Sequence, residues 1–225
     1  MCRSALVSYA DESFQQAAGD TWRPGGLELT RHALGICQFR QGASILDIGC
    51  GKGATLLLLR DLGFSGTGLD KTRHVPLDVP FVQGDASAPP FAAASFDGLI
   101  CECVLSLLPR PDEAIKKFAV LLKEGGRLIM TDVYLRSGPE RCSGKASSSC
   151  LDGARRRPSI EQGLASAGFR ILTFEDHSEE LKRFAATLIW YGSMPRCCLT
   201  PHGEAGLRYG YGMWIAELPV PHALP

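Results

Sequence analysis

A glycine-rich turn constrains the fold of this chain more than any other feature of its sequence. The apolar, β-prone residues 44–48 are followed at once by three alternating glycines, Gly49, Gly51 and Gly53, and then by the leucine-rich residues 54–60. Glycine has no Cβ, so such a loop can turn sharply and let a ligand lie against bare backbone. The stretch predicts a strand, a tight loop and a helix N-terminus, which together form the usual platform for a nucleotide-like ligand.

The spacing of the glycines and the acid before them indicate which kind of ligand the loop binds. A dinucleotide-binding loop has the pattern G-x-G-x-x-G, whereas this chain has G-x-G-x-G and places Ala54 after the third glycine. Asp47, two residues before the first glycine, faces the same ligand, and its carboxylate would repel a pyrophosphate but suit an ammonium or a sulfonium. A nicotinamide-dependent oxidoreductase is therefore the less favoured alternative, and binding of labelled NAD would support it.

Two further acids follow predicted strands. Asp70 ends the second strand, where a carboxylate can accept two hydrogen bonds from a ribose diol. The third strand, residues 80–83, runs into the turn Gly84-Asp85-Ala86. The short crossover between these two strands contains Pro76 and Pro80, so we expect a loop instead of a helix, with Lys71 bordering the ligand.

The glycine loop, Asp70 and the Gly84-Asp85-Ala86 turn, in this order, resemble the motifs of class I S-adenosylmethionine-dependent methyltransferases of the small-molecule type. The resemblance extends from about Trp22 to Leu218. It implies an α/β fold with a Rossmann-like, seven-stranded, mostly parallel sheet of order 3-2-1-4-5-7-6, an antiparallel last strand and helices on both faces. It also implies S-adenosyl-L-methionine as the cofactor and S-adenosyl-L-homocysteine as the product.

The resemblance further implies a set of cofactor-binding residues. In the family, the acid of the third motif accepts from the adenine amino group, and the next backbone N–H donates to the ring. The Pro-Gly-Gly turn and the helix after it would roof the cofactor, although packing against the sheet explains them equally well. The expected cofactor-binding set is Arg23, Gly25, Asp47, Gly49, Cys50, Gly51, Gly53, Asp70, Lys71, Asp85, Ala86 and Cys101.

The chemistry of transfer suggests two candidate catalytic residues. Methyl transfer from a sulfonium is an in-line displacement, so the protein mainly supplies positioning and the exclusion of water. A neutral acceptor with an acidic proton also needs a base. Glu102, at the end of the fourth predicted strand, and His177, after the sixth, are the candidates, and a surface imidazole is an equally good interpretation of His177. We predict no metal ligands.

The cysteines raise an alternative for the identity of the methyl acceptor. The chain has nine, and we interpret them as reduced cytosolic thiols, not as a disulfide framework. Soft metalloids select thiolate ligands. A thiol-dependent, arsenite-like methyltransferase is therefore one alternative, with Cys101, Cys103, Cys142, Cys150, Cys197 and Cys198 as the candidate thiols. A non-catalytic module that binds S-adenosylmethionine is another, because cofactor motifs do not prove turnover.

Composition and charge indicate which kinds of partner to expect. The 225 residues carry a net charge of zero, which gives no reason to expect nucleic acid. The sequence has neither the long apolar run of a membrane span nor an N-terminal secretory signal, so we expect a cytoplasmic protein, a monomer or homodimer, with a small-molecule methyl acceptor. Within a single domain, residues 1–225, we predict an N-terminal helical cap (1–40), a flexible loop or lid (137–158) and a tail (219–225).

Overall fold

The computed structural model of the chain describes residues 12–76, 78–140, 149–193 and 208–220, and one sheet passes through all four ranges. The last strand is antiparallel to its two neighbours, and the other pairings are parallel. The strands are β1 (Ser44–Ile48), β2 (Ser65–Asp70), β3 (Phe81–Gln83), β4 (Phe96–Glu102), β5 (Leu122–Ser137), β6 (Arg155–Arg156), β7 (Arg170–Asp176) and β8 (Arg208–Glu217).

The order of the strands confirms the predicted fold class. The sheet runs β3-β2-β1-β4-β5-β8-β7, and the two-residue β6 pairs with the end of β5. With β6 set aside, this is the predicted order of seven strands with an antiparallel last strand. β6 was not predicted, because it falls within the residues that we expected to form a loop.

Helices cover both faces of the sheet, which buries β1 and β4 from two sides. They are α1 (Glu12–Ala18), α2 (Gly26–Cys37), α3 (Ala54–Asp61), α4 (Pro111–Leu121), α5 (Arg157–Ser166) and α6 (Ser178–Trp190), with a 3-10 helix at Leu105–Leu107. In β1, Leu46 and Ile48 pack into one core cluster and Ile45 into the other, as alternation along a strand requires. None of the helices in the described ranges combines the length and the apolar character needed to cross a lipid bilayer.

The crossover between β2 and β3 contains no helix among the residues that are described there, as its two prolines predicted. Two hydrogen bonds join the carboxyl end of β3 to the start of this crossover. The backbone N–H of Gly84 donates to Asp70 O at 2.9 Å, and Gln83 Nε2 donates to Lys71 O at 2.8 Å. The first residues of the crossover therefore stay close to the carboxyl ends of β2 and β3.

One boundary differs from the prediction. We expected a turn at Glu124-Gly125-Gly126 and a strand beginning at Arg127, but β5 begins at Leu122, which pairs with Phe96 of β4. The ladder is irregular between Phe96 and Gly98, and Gly125 has a φ of 73°. Glycine permits this left-handed backbone, so the strand absorbs the Gly-Gly pair as an irregularity instead of ending there.

The predicted cap, loop and tail are described only in part. Residues 1–11 of the cap, residues 141–148 of the loop with Cys142, and residues 221–225 of the tail lie outside the described residues, as do Cys197 and Cys198. Where the loop is described, its basic side chains form ion pairs. Arg155 lies 2.7 Å from Asp112, and Arg157 lies 2.6 Å from Glu161.

Candidate functional site

A cavity of about 600 Å³ lies at the carboxyl ends of β1, β2 and β4. Its walls come from the glycine loop after β1, the end of β2 and the turn after β3. Residues 102–104 after β4 and residues 20–23 before α2 complete the lining. In open α/β sheets ligands bind at this edge, and the volume suits a small molecule.

The glycine loop needs its glycines for two physical reasons. Gly49, Gly51 and Gly53 have φ angles of 74°, 50° and 80°, a left-handed backbone that other residues adopt at a cost. A Cβ on Gly49 would lie 2.3 Å from Cγ2 of Val104, and a Cβ on Gly53 would lie 2.7 Å from Cγ1 of Val75. Gly49 and Gly51 line the cavity, whereas Gly53 caps the N-terminus of α3.

Asp47 is the unusual charge of the cavity. Its residue is only 4% exposed and lines the cavity, and no group among the described residues donates a hydrogen bond to its carboxylate. Burial raises the pKa of Asp47 to about 8, the negative charges of Glu102 and Asp70 add to the rise, and Arg23 opposes it. A buried polar group without a partner is costly, so the cavity offers this acid to a donor or a cation from outside the chain.

Arg23 and Glu102 form a buried ion pair beside Asp47. Arg23 Nη2 lies 2.7 Å from Glu102 Oε2 and also donates to Thr30 Oγ1 at 2.5 Å and Thr55 Oγ1 at 3.1 Å. Thr30 Oγ1 donates to Glu102 Oε1 at 2.9 Å. Burial raises the pKa of Glu102, and Arg23 opposes that rise. The network joins the turn before α2, α2 itself, α3 and the end of β4, so it fixes the N-terminal helices over the cavity.

Asp70 also lines the cavity, and Asp85 lies just behind its lining. Asp70 Oδ2 accepts from the backbone N–H of Gly51 at 2.9 Å, which links the end of β2 to the glycine loop. Asp85 Oδ1 accepts from the backbone N–H of Ser87 at 2.7 Å, and its Oδ2 lies 3.2 Å from Lys71 Nζ. These contacts, first that with Ser87, lower the pKa of Asp85.

The structure brings most of the predicted site residues together. Those that line the cavity are Arg23, Asp47, Gly49, Cys50, Gly51, Asp70, Lys71, Ala86 and Glu102. They come from five separate stretches of the chain, and their assignment to a cofactor remains a prediction.

Five predicted residues do not line the cavity: Gly25, Gly53, Asp85, Cys101 and His177. Gly25 caps the N-terminus of α2, and Cys101 is fully buried in the core beside β1. His177 Nε2 lies 2.9 Å from Glu175 Oε2, which His32 Nε2 also approaches to 2.9 Å. His177 therefore belongs to a cluster at the edge strand β7.

Sequence reasoning missed Trp22 and His74 as lining residues, whereas Cys103, a candidate thiol, does line the cavity. The Trp22 ring lies 3.4 Å from a Cβ built on Gly51 and packs edge-on against His74, with ring centroids 5.6 Å apart. An aromatic side chain directly before Arg23 was a usable signal for Trp22. No sequence signal indicated His74, because it lies in an irregular crossover whose path the sequence does not predict.

The thiols divide into three groups. Cys103 lines the cavity with a left-handed φ of 57°, and its Sγ lies 3.4 Å from the Tyr211 hydroxyl. Burial raises the pKa of Cys103, and the nearby Cys150 adds to the rise. Cys101 lies in the core, and Cys142, Cys197 and Cys198 lie outside the described residues. Within the described part of the chain, no three His, Cys, Asp or Glu side chains are grouped to hold a metal ion.

Comparison with known sequences relates part of the chain to methyltransferases. Residues 46–130 match a family described as methyltransferase domain. A fatty-acid O-methyltransferase from Mycolicibacterium smegmatis is 31% identical over 107 residues, which are 43% of this chain and 39% of that protein. A ubiquinone biosynthesis O-methyltransferase from Coxiella burnetii is 26% identical over 139 residues, 53% of this chain and 59% of that protein. The match to an arsenite methyltransferase from Aquipseudomonas alcaligenes is 33% over 115 residues, 41% of this chain and 33% of that protein.

Comparison with solved structures gives the same fold. The [4+2]-cyclase SpnF superposes with a TM-score of 0.69 at 23% identity, over 90% of this chain and 85% of that one. A Haemonchus contortus phosphoethanolamine N-methyltransferase, solved with phosphomonomethylethanolamine and S-adenosylhomocysteine, has a TM-score of 0.69 at 17% identity, over 92% of this chain and 56% of that one. The chain thus spans about half the length of the first curated relatives that it matches, and the structural likeness covers most of it.

Proposed function

Since residues 46–130 are a methyltransferase domain within a class I S-adenosylmethionine-dependent methyltransferase fold, we propose that this protein transfers a methyl group from S-adenosyl-L-methionine to a small-molecule acceptor. The observation that carries the proposal is the buried carboxylate of Asp47, without a donor, beside the glycine loop. That arrangement suits a ligand with a cationic group and disfavours a pyrophosphate.

The residues present fit the cofactor. Asp70 would accept from the ribose diol, and the backbone of Gly84 and Ala86, on either side of Asp85 in the chain, would border the adenine. Asp47 and Gly49 would face the methionyl end. When bound, the cofactor supplies an activated methyl group on a sulfonium. The chain holds that group in line with the acceptor and keeps water out.

Glu102 is the candidate base for an acceptor that must lose a proton. It lines the cavity at the end of β4, and burial raises the pKa of its carboxyl group, which makes the carboxylate a stronger base. In the structure Arg23 and Thr30 fix both of its oxygens. His177 does not enter this proposal, because it lies outside the cavity lining.

Calorimetry followed by a product assay tests the proposal. We expect saturable binding of S-adenosylmethionine and S-adenosylhomocysteine and no binding of NAD. The acceptor panel should begin with oxygen acceptors, since the first two relatives are named O-methyltransferases. Formation of S-adenosylhomocysteine only when an acceptor is present would establish transfer, and failure to bind either nucleoside would overturn it. We also propose a cytoplasmic monomer or homodimer, which fractionation and sedimentation would test.

A second candidate function follows from the thiols. Cys103 lines the cavity, Cys150 lies close enough to raise its pKa, and one relative is named arsenite methyltransferase. Soft metalloids select thiolates, so arsenite would have to displace the proton that the raised pKa keeps on Cys103. Thiol titration with and without arsenite is the test, and unchanged thiol reactivity together with no methylated arsenic would remove this candidate.

A module that binds the cofactor without methyl transfer is the other alternative. The fold alone does not exclude it, because a protein named as a [4+2]-cyclase shares the fold over most of its chain. Tight binding of S-adenosylmethionine without turnover across the acceptor panel would favour it.

A further inference from the structure

The cavity contains one buried acid, Asp47, that is directly paired with no group in the described structure. Arg23, Asp47 and Glu102 are its buried charged side chains, two acids and one base. Arg23 is committed to Glu102 at 2.7 Å and to two threonine hydroxyls. The charge of Arg23 lowers the pKa of Asp47, but no hydrogen bond joins these two side chains in the described structure. The Arg23–Glu102 ion pair therefore leaves the Asp47 carboxyl group without a direct partner.

The other groups around Asp47 do not supply the missing charge. Asp70, at the end of β2, is a further negative charge. Cys50 in the glycine loop and Cys101 in β4 have pKa values raised by burial, so both remain neutral thiols. The remaining basic lining residues are occupied elsewhere or exposed. Lys71 pairs with Asp85, Lys52 stands over the Trp22 ring, and His74 is exposed.

We infer that Asp47 is the charge-selecting residue of this cavity, protonated before the ligand enters and ionised when a cationic group of the ligand lies beside it. One proton then leaves the carboxyl group for solvent as one positive charge enters, so the net charge of the buried site does not change. The inference rests on the proposed function for the identity of the ligand, S-adenosylmethionine.

General electrostatics explains both why Asp47 is protonated without the ligand and why it loses its proton when a cation binds. Burial without donors favours the neutral acid, and the pKa of Asp47 is raised to about 8, above the pH of the cell interior. An opposite charge within a few ångströms favours the carboxylate by about 1–3 pKa units. Ligands with a positive charge at this point therefore release a proton on binding near neutral pH, and uncharged analogues do not.

Calorimetry in buffers of different ionisation enthalpy measures the exchange directly. At pH 7 we expect the observed heat of S-adenosylmethionine binding to vary with the buffer, with a slope that corresponds to release of most of a proton. 5′-Methylthioadenosine, which lacks both the sulfonium and the ammonium, should show no buffer dependence. The affinity for S-adenosylmethionine should rise between pH 6 and pH 8, by up to about tenfold per pH unit.

The variants D47N and D132N provide the matched test. Asp132 is also a buried acid, but it does not line the cavity. We expect D47N to abolish the proton release and to flatten the pH dependence of affinity, and D132N to retain both. If D47N does not fold, the comparison of the two nucleosides on the wild-type protein still decides.

Three results would overturn the inference: buffer-independent heat with S-adenosylmethionine, equal proton release with methylthioadenosine, or unchanged release in D47N. In each of these cases binding itself leaves the proposed function standing. Complete absence of S-adenosylmethionine binding would instead overturn the proposed function.

Discussion

Strands β1 and β5 each contain a buried aspartate, and the hydrogen bonding of the two differs. Asp132, in β5, accepts from the backbone N–H of Ser106 at 2.8 Å, from the Ser106 hydroxyl at 2.7 Å and from its neighbour's backbone N–H at 2.7 Å. Asp47, in β1, accepts no hydrogen bond from any described residue and faces the cavity.

The difference separates a structural acid from a binding acid. Burial raises the pKa of both, to about 6 for Asp132 and to about 8 for Asp47. The donors to Asp132 stabilise its charged form and hold the rise down. Its carboxylate ties the residues after β4 to β5, whereas the Asp47 carboxylate is left for a ligand. Burial alone therefore does not distinguish the two acids, whereas the presence or absence of hydrogen-bond donors does.

The largest effect should come from removing the one buried cation at the β1 end. Arg23→Met leaves Glu102 and Asp47 as two buried acids with no counter-charge, and we expect a loss of about 3–5 kcal/mol in the free energy of unfolding. Glu102→Gln should cost less, because Arg23 still faces Asp47. Urea denaturation of both variants measures the difference. Equal losses would contradict the expectation that Arg23 lowers the cost of burying both acids.

The next effect contrasts the two aspartates directly. Asp132→Asn places an amide against the donors of Ser106 and should cost about 1–3 kcal/mol of stability. Asp47→Asn removes an acid whose ionisation the folded protein disfavours, so its stability at pH 7.5 should be unchanged or higher. Urea unfolding of the two variants in parallel is the measurement. A larger loss for Asp47→Asn than for Asp132→Asn would contradict the comparison.

The pH dependence of stability should separate the two acids as well. Both have folded pKa values above the unfolded value of about 3.9, so the folded state binds more protons and stability falls as pH rises through the folded pKa. The contribution of Asp132 is largely lost by about pH 6, and that of Asp47 continues to fall until about pH 8.

Between pH 6.5 and pH 8, the loss should therefore come mainly from Asp47, at up to about 1.4 kcal/mol per pH unit. Unfolding of the wild-type protein and of Asp47→Asn at several pH values in this window checks the assignment. A decline just as steep in the variant would assign the titration to another group, with Glu102 as the first to examine.

The sequence was sufficient for features that depend on local pattern. Alternating glycines after an apolar run gave the turn after β1, and Pro76 and Pro80 gave a crossover without a helix. Spacing along the chain placed Asp70 at the end of β2. The strand order followed from the resemblance that these motifs carry, and the pairing of distant strands in the sheet agrees with it.

Contacts between side chains that are distant in sequence could not be predicted. Nothing near Glu102 shows that Arg23 and Thr30 hold it, since they come from another part of the chain. The absence of a donor to Asp47 is a property of three-dimensional packing that no local pattern records. His177 was proposed because it follows a strand end, but β7 lies at one edge of the sheet and the cavity lies at β1, β2 and β4.

The smallest effect is expected at the edge strand β7, where a substitution of His177 tests how far the functional region extends from the cavity. His177→Asn should change S-adenosylmethionine affinity and turnover less than about twofold and stability by less than about 1 kcal/mol, because His177 and Glu175 form a partly exposed pair outside the cavity. His32→Asn is the matched control, since His32 contacts the same carboxylate. A tenfold loss of turnover in His177→Asn alone, with cofactor affinity retained, would mean that the acceptor reaches β7 and that the β1 end holds only half of the active site.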